Sequence, residues 1–174
     1  MGHTTEFEGK FAITPALKPE HADYLRAFND TRRMKRDASK LVHDPVAEAA
    51  GLRFGDEGAY FVGGEGLNGQ ERGESVLEYN EPPAGQPGLW CQWVPDESGE
   101  HLEWDGGEKF YDYAEWLRYL ITHFLSPWGY SLSGSVIWRG EEMRDIGTIR
   151  VKSNEVEVVK GKFYKRRGDA DCSQ

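Results

Sequence analysis

The sequence predicts an α+β domain in which helices cover one face of an antiparallel sheet. Three observations predict it: residues alternate at strand period near the start and over the last third, two stretches space apolar side chains at helical intervals, and each of those stretches follows a strand or hairpin. A chain of 174 residues can hold a core without disulfide or metal staples, since at this size roughly 70% of the unfolded surface is buried.

Residues 5–13 alternate, with Phe7, Phe11 and Ile13 on one side and Glu6, Glu8 and Lys10 on the other, as in a half-buried strand. Pro19 suits the first position of a helix, where a missing N–H costs nothing, and Tyr24, Leu25 and Phe28 carry that helix to Asn29 and Asp30. Residues 31–87 hold no sustained period: a basic stretch, a short helical segment at 45–50, an apolar run at 59–62, then glycine- and proline-rich sequence. They read as one long insertion, and because structureless loops of that length are uncommon in compact domains, it is expected to be functional or partly mobile.

Residues 89–94 read as an aromatic-rich strand, and the turn chemistry of Pro95, Asp96, Ser98 and Gly99 joins it to a short strand at 101–104. Phe110, Tyr113, Leu117, Leu120, Ile121 and Phe124 then recur at helical intervals, and Pro127 is expected to end that helix. Residues 131–139, 146–152 and 155–160 read as three antiparallel strands, turning at 140–145 and at Ser153-Asn154. This order, β-α, insertion, β-β-α-β and two extra C-terminal strands, is that of a ferredoxin-like split βαβ unit with two helices on one face. A single α+β domain over residues 1–160 is expected, with a flexible polar tail over 161–174.

Six Trp, eight Tyr and eight Phe supply much of the apolar surface, which argues against disorder of the whole chain despite its hydrophilic average. Two cysteines exclude a disulfide framework: Cys91 sits among aromatics as a small buried hydrophobe, and Cys172 lies in the polar tail. The sequence shows no signal segment, no apolar run of about 20 residues and no matching lipidation motif, so a cytoplasmic location is expected. The net charge of −9 is segregated, with 18 acidic against 5 basic residues over 56–145 and an excess of cations outside that span.

Thr31 to Arg36 brings Arg32, Arg33, Lys35 and Arg36 together just after the first helix. Arginine forks grip phosphate or carboxylate bidentately, so these four form a candidate anion site; alternatively they offset the helix dipole and pair with the acidic middle of the chain. The glycine-rich run from Gly63 to Gly69 lacks the Lys-Ser/Thr of a phosphate-binding loop and a following helix, and reads as a turn or lid. Trp104, Asp105, Glu108, Lys109 and Tyr111 join a strand to the second helix and form a candidate polar and aromatic site, though carboxylates near a helix start also have a purely structural use. The five histidines show no metal-ligand spacing and no Gly-x-Ser-x-Gly elbow occurs, so neither metal nor cofactor is expected. His21 and His123 read as satisfied, partly buried imidazoles. Residues 160–167 mix cations with aromatics, but the acidic balance of the chain makes nucleic acid an unfavoured partner.

The motifs Gly88-Leu-Trp-Cys-Gln-Trp93, Trp104-Asp-Gly-Gly-Glu-Lys-Phe-Tyr111, Glu115-Trp-Leu-Arg-Tyr-Leu120 and Pro127-Trp-Gly-Tyr130, with the opening strand and the basic stretch, resemble a family of small uncharacterised proteins of actinobacteria and their phages. The resemblance implies a bacterial or phage origin and no mechanism. The function expected is therefore that of a non-enzymatic binding or regulatory module for a small anionic ligand or a protein partner. Two alternatives stand beside it: an enzyme on a nucleotide or other phosphorylated substrate, with Glu65, Asp105 or Glu108 as general base, and an acidic inhibitor of a basic partner protein.

Overall fold

Strand β1 (Glu6–Thr14) lies inside the sheet, because Phe11 and Ile13 fall on its buried side while Glu6, Glu8 and Lys10 face water. The computed structural model describes residues 4–42, 44–63 and 73–161. Helix α1 (Pro19–Asn29) follows β1, with proline in its first turn as its sequence requires. The insertion contains β2 (Lys35–Arg36), the short helix α2 (Pro45–Ala49), capped by the Asp44 carboxylate on the Val46 N–H, and β3 (Val76–Glu78), which pairs with β2 as a separate two-stranded ribbon. Strands β4 (Trp93–Pro95) and β5 (His101–Trp104) form the hairpin, followed by α3 (Tyr113–Leu120) and the strands β6 (Ser131–Arg139), β7 (Ile146–Lys152) and β8 (Glu155–Lys160). The sheet runs β4-β5-β1-β6-β7-β8, antiparallel throughout, so that β5 lies between β1 and β4.

Strand β1 lies one residue later than expected and α3 begins at Tyr113, leaving Phe110 in the loop before it; two further boundaries differ for a clear physical reason. Residues 89–92 are not sheet, because their backbone groups are engaged elsewhere: the Leu89 carbonyl accepts the Arg33 N–H, the Cys91 carbonyl accepts Asn29 Nδ2–H, and the Gln92 carbonyl accepts the Asp105 N–H. Nor does Pro127 stop the helix. The chain widens into a π-turn over Ile121–Leu125 and closes with one last turn, Ser126–Trp128, ended by Gly129 at φ 94°. A proline lacks the donor that an α-helix needs and crowds the carbonyl four residues back; the wider turn just before it relieves both demands.

The core lies between the sheet and the helices. Phe11, Leu102, Val136, Trp138 and Ile149 project from the strands against Tyr24, Leu25 and Phe28 of α1 and Leu117 and Leu120 of α3. Phe7 packs its ring 5.0–5.7 Å from those of Trp93, Trp104, Phe110 and Tyr113, in edge-on and tilted arrangements worth about 0.5–1.5 kcal/mol each beyond burial. The opposite face of the sheet carries opposed charges: Arg139 lies 3.2 Å from Glu8, Lys10 3.8 Å from Asp96 and Arg150 3.9 Å from Glu157. In the β4–β5 turn, desolvation alone would raise the Asp96 pKa, but hydrogen bonds from Ser98 and His101 and the imidazole charge outweigh it and lower the pKa to about 2. Among the described residues no helix is long and apolar enough to cross a membrane.

Leu120 is fully enclosed on α3, whereas Glu115 is exposed beside Arg118. Leu120→Ala is expected to cost ~2–5 kcal/mol and Glu115→Ala less than ~0.5 kcal/mol in urea denaturation. The reverse order would mean that α3 packs by another face.

Candidate functional site

Between β5 and α3 the chain makes a tight, cross-braced connection. Gly106 takes φ 86°, which favours glycine, and a Cβ on Gly107 would stand 2.9 Å from Gln92 Oε1 and 3.0 Å from Asp105 Oδ1, so a side chain there would push aside the two groups that brace the bend. Asp105 is built into this bend: Oδ1 accepts the Gly107 N–H at 2.8 Å and Oδ2 accepts Asn29 Nδ2–H at 2.9 Å. Trp104 Nε1–H donates to Gln92 Oε1 at 3.2 Å, and Gln92 Nε2–H donates to the Glu108 carbonyl at 2.9 Å. One glutamine thus ties the segment before β4 to the loop before α3.

Beyond that brace the loop is held in an unfavoured conformation. Lys109 (φ 60°) and Asp112 (φ 56°) both adopt left-handed backbone, which non-glycine residues visit at a cost and which clusters at ligand sites. Asp112 precedes α3 without capping it with its side chain, which is instead exposed. Here a cleft of about 370 Å³ opens between the two segments, walled by Leu89, Trp90 and Tyr111 and rimmed by Glu108, Lys109 and Asp112. Trp116 also lines it, a ring 0% exposed whose Nε1–H has no acceptor; among the described residues it is the buried side-chain nitrogen left in that state. Gly88 borders this nitrogen: an added Cβ there would stand 3.8 Å from it.

The candidate site predicted at this junction is therefore divided. Glu108, Lys109 and Tyr111 face the cleft, while Asp105 and Trp104 hold the backbone that shapes it. Trp90, Asp112 and Trp116 were not singled out as site residues. Trp116, Tyr119 and His123 recur at intervals of three and four alongside the apolar stripe of α3, which was the available signal.

The basic stretch is dispersed among protein partners. Arg33 is 1% exposed, donates to the carbonyls of Phe61 and Ala59 at 2.8 Å and to Gln86 Oε1 at 3.2 Å, and lies 4.0 Å over the Phe28 ring. Arg36 is also buried, donating to Ser75 Oγ at 3.0 Å above the Phe61 ring. Arg32 binds the Tyr79 carbonyl and Asn80, and Lys35 pairs with Glu57 and Glu81. These contacts follow the alternative weighed for the stretch only in part, since the buried forks meet mainly carbonyls and rings rather than carboxylates.

A second cleft, about 350 Å³, lies farther along α3 and is lined by Pro87, Arg118, Tyr119, Thr122 and His123. His123 stacks 4.0 Å from Tyr119 and shares a 2.9 Å hydrogen bond with the Tyr60 hydroxyl; burial lowers its pKa. His21 stacks 3.9 Å from Trp128 and bonds the Tyr130 hydroxyl at 2.7 Å, with its pKa also lowered by burial. Burial pushes the Cys91 thiol up to about 12, so it is held as a neutral thiol. No group of three or more His, Cys, Asp and Glu among the described residues is placed to hold a metal ion. Glu65, most of the glycine-rich run, Cys172 and the tail beyond Gly161 lie outside the described residues.

Comparison of the chain with family models, curated proteins and solved structures gives no match.

Proposed function

We propose that this chain is a non-enzymatic binding or regulatory module that takes a small ligand, or a side chain of a protein partner, into the cleft between Trp90 and Tyr111. In this reading β1, α1, β4, β5, α3 and β6 are a ferredoxin-like unit serving as the rigid scaffold. The observation that carries the proposal is the cleft itself: aromatic walls and a rim of charged side chains on a strained connection, clamped in place by Gln92.

An anionic ligand, as the sequence suggested, would meet two carboxylates there against one ammonium, so the ligand is read as neutral or cationic. A phosphate grip at Arg32, Arg33, Lys35 and Arg36 would require buried forks to leave their carbonyls. The acidic-inhibitor alternative is disfavoured, because it calls for a continuous acidic face and the open side of the sheet alternates Glu8, Arg139, Arg150 and Glu157.

Tryptophan fluorescence and thermal shift, read against a panel of nucleosides, amino-acid amides, amines and aromatic acids, test the reading. At least one compound is expected to bind the native protein and to lose its effect in Trp90→Ala with unchanged circular dichroism. Binding that survives Trp90→Ala, or a panel with no response, would sink it.

A further inference from the structure

Resting on that reading of the cleft, we infer that its ligand presents a neutral, planar, amino-substituted heteroaromatic ring of the adenine or cytosine type. A ring acceptor meets Trp116 Nε1–H, and the exocyclic amine meets Glu108 or Asp112.

Four properties of the cleft converge on this chemistry. The buried indole nitrogen is a donor only, and it has lost water without gaining an acceptor, so a ligand that supplies one recovers a bond the protein itself leaves unmade. Gly88 borders that nitrogen, an added Cβ standing 3.8 Å from it, so a ligand atom that displaces the local packing to reach the N–H must pass close to this glycine. At the rim, the Glu108 and Asp112 carboxylates accept and do not donate, which calls for N–H groups on the ligand. Between them, Trp90 and Tyr111 offer faces on which a π-system can stack, as bases do on aromatic platforms.

Other chemistries satisfy only part of the cleft. A guanidinium or amine suits the carboxylates and the rings but has no acceptor for Trp116. A carboxylate satisfies Trp116 and is repelled by Glu108 and Asp112. A phosphate would be repelled in the same way, so the ring enters and any phosphate it carries must project into solvent. The volume, about 370 Å³, lies near the lower end of the roughly 300–1,000 Å³ typical of ligand pockets, which matches a base or nucleoside rather than a larger cofactor.

Fluorescence titrations with adenosine, cytidine, inosine and uridine, beside arginine amide and benzoate, decide the matter. Adenosine or cytidine is expected to bind at least ~tenfold more tightly than inosine and uridine, the loss that accompanies an unpaired polar group. Gly88→Ala is expected to abolish that binding while keeping the native melt, since Gly88 has ordinary backbone angles and the new methyl makes only van der Waals contact. Trp116→Phe should weaken binding and Glu108→Gln should erase the preference for the amino ring. Equal binding of adenosine and inosine, or binding that persists in Gly88→Ala, overturns the ligand class. If arginine amide or benzoate binds in a Trp90-dependent way while the nucleosides are silent, the class is wrong and the cleft stands; silence from all six overturns both.

Discussion

Arg33→Ala is expected to destabilise the chain by ~3–5 kcal/mol, the usual cost of breaking a buried, hydrogen-bonded charge site. In a domain of this size that lowers the melting temperature by roughly 6–20 °C. The side chain reaches from the end of α1 into the insertion and donates to three carbonyls, those of Gly58, Ala59 and Phe61, and to Gln86, which itself donates to Ala59 and to the Tyr119 hydroxyl. Its removal strands those acceptors in a dry space and uncovers Phe28. Burial lowers the Arg33 pKa to about 10, still well above neutrality, so the cation stays charged at pH 7. Lysine is no substitute, since one ammonium cannot reproduce a planar fork aimed at four acceptors. Urea denaturation of Arg33→Ala beside Arg32→Ala checks this: Arg32 is partly exposed over Tyr79, and equal losses from the two would show that the buried network carries no special weight.

Gly147→Val is also expected to destabilise the chain, for a different reason. A Cβ at Gly147 would overlap the Trp138 ring directly, and Trp138 is fully buried, with its Nε1–H on Asp145 at 3.0 Å. Overpacking of this kind costs ~1–3 kcal/mol or more, because neither the ladder from β6 to β7 nor the indole can move without breaking other contacts. The cause is separable by a double-mutant cycle. Trp138→Leu alone leaves a cavity, but Gly147→Val with Trp138→Leu should be less unstable than the sum of the single changes by at least ~1 kcal/mol. Strict additivity in the four denaturation curves would rule out the steric explanation.

Much of the sheet was legible from sequence because its strands have one wet and one dry face. The strands at 131–139, 146–152 and 155–160 were placed to the residue, as alternation together with the Ser153-Asn154 turn leaves little freedom of register. The failure at 89–92 has an equally physical source. Those residues are apolar enough for a strand, yet their carbonyls serve Asn29, Arg33 and Asp105, partners that no local pattern announces. The basic stretch failed in the same way, since composition cannot distinguish an arginine that waits for a ligand from one that has found carbonyls more than twenty residues away. At the candidate site, Glu108, Lys109 and Tyr111 were visible as exposed chemistry on a turn. Trp116 was not, because a tryptophan inside an amphipathic helix looks like core, and only the surroundings of its nitrogen set it apart.

The wide turn at 121–125 lets this helix absorb a change in chain length that a uniform helix cannot. A π-turn holds one residue more than an α-turn, so losing a single codon there would give a regular α-helix and leave what lies beyond close to its present orientation, whereas the same loss within Tyr113–Leu120 would rotate everything after it by about 100°. After a loss in the wide turn, Trp128 would stay on His21, and the Tyr130 hydroxyl on His21 and on the Lys18 N–H that it accepts. The cost would fall on Pro127, crowded again against the carbonyl four residues back. Lineages carrying this fold should therefore admit the loss of one residue at 121–125 more readily than any gain or loss within Tyr113–Leu120.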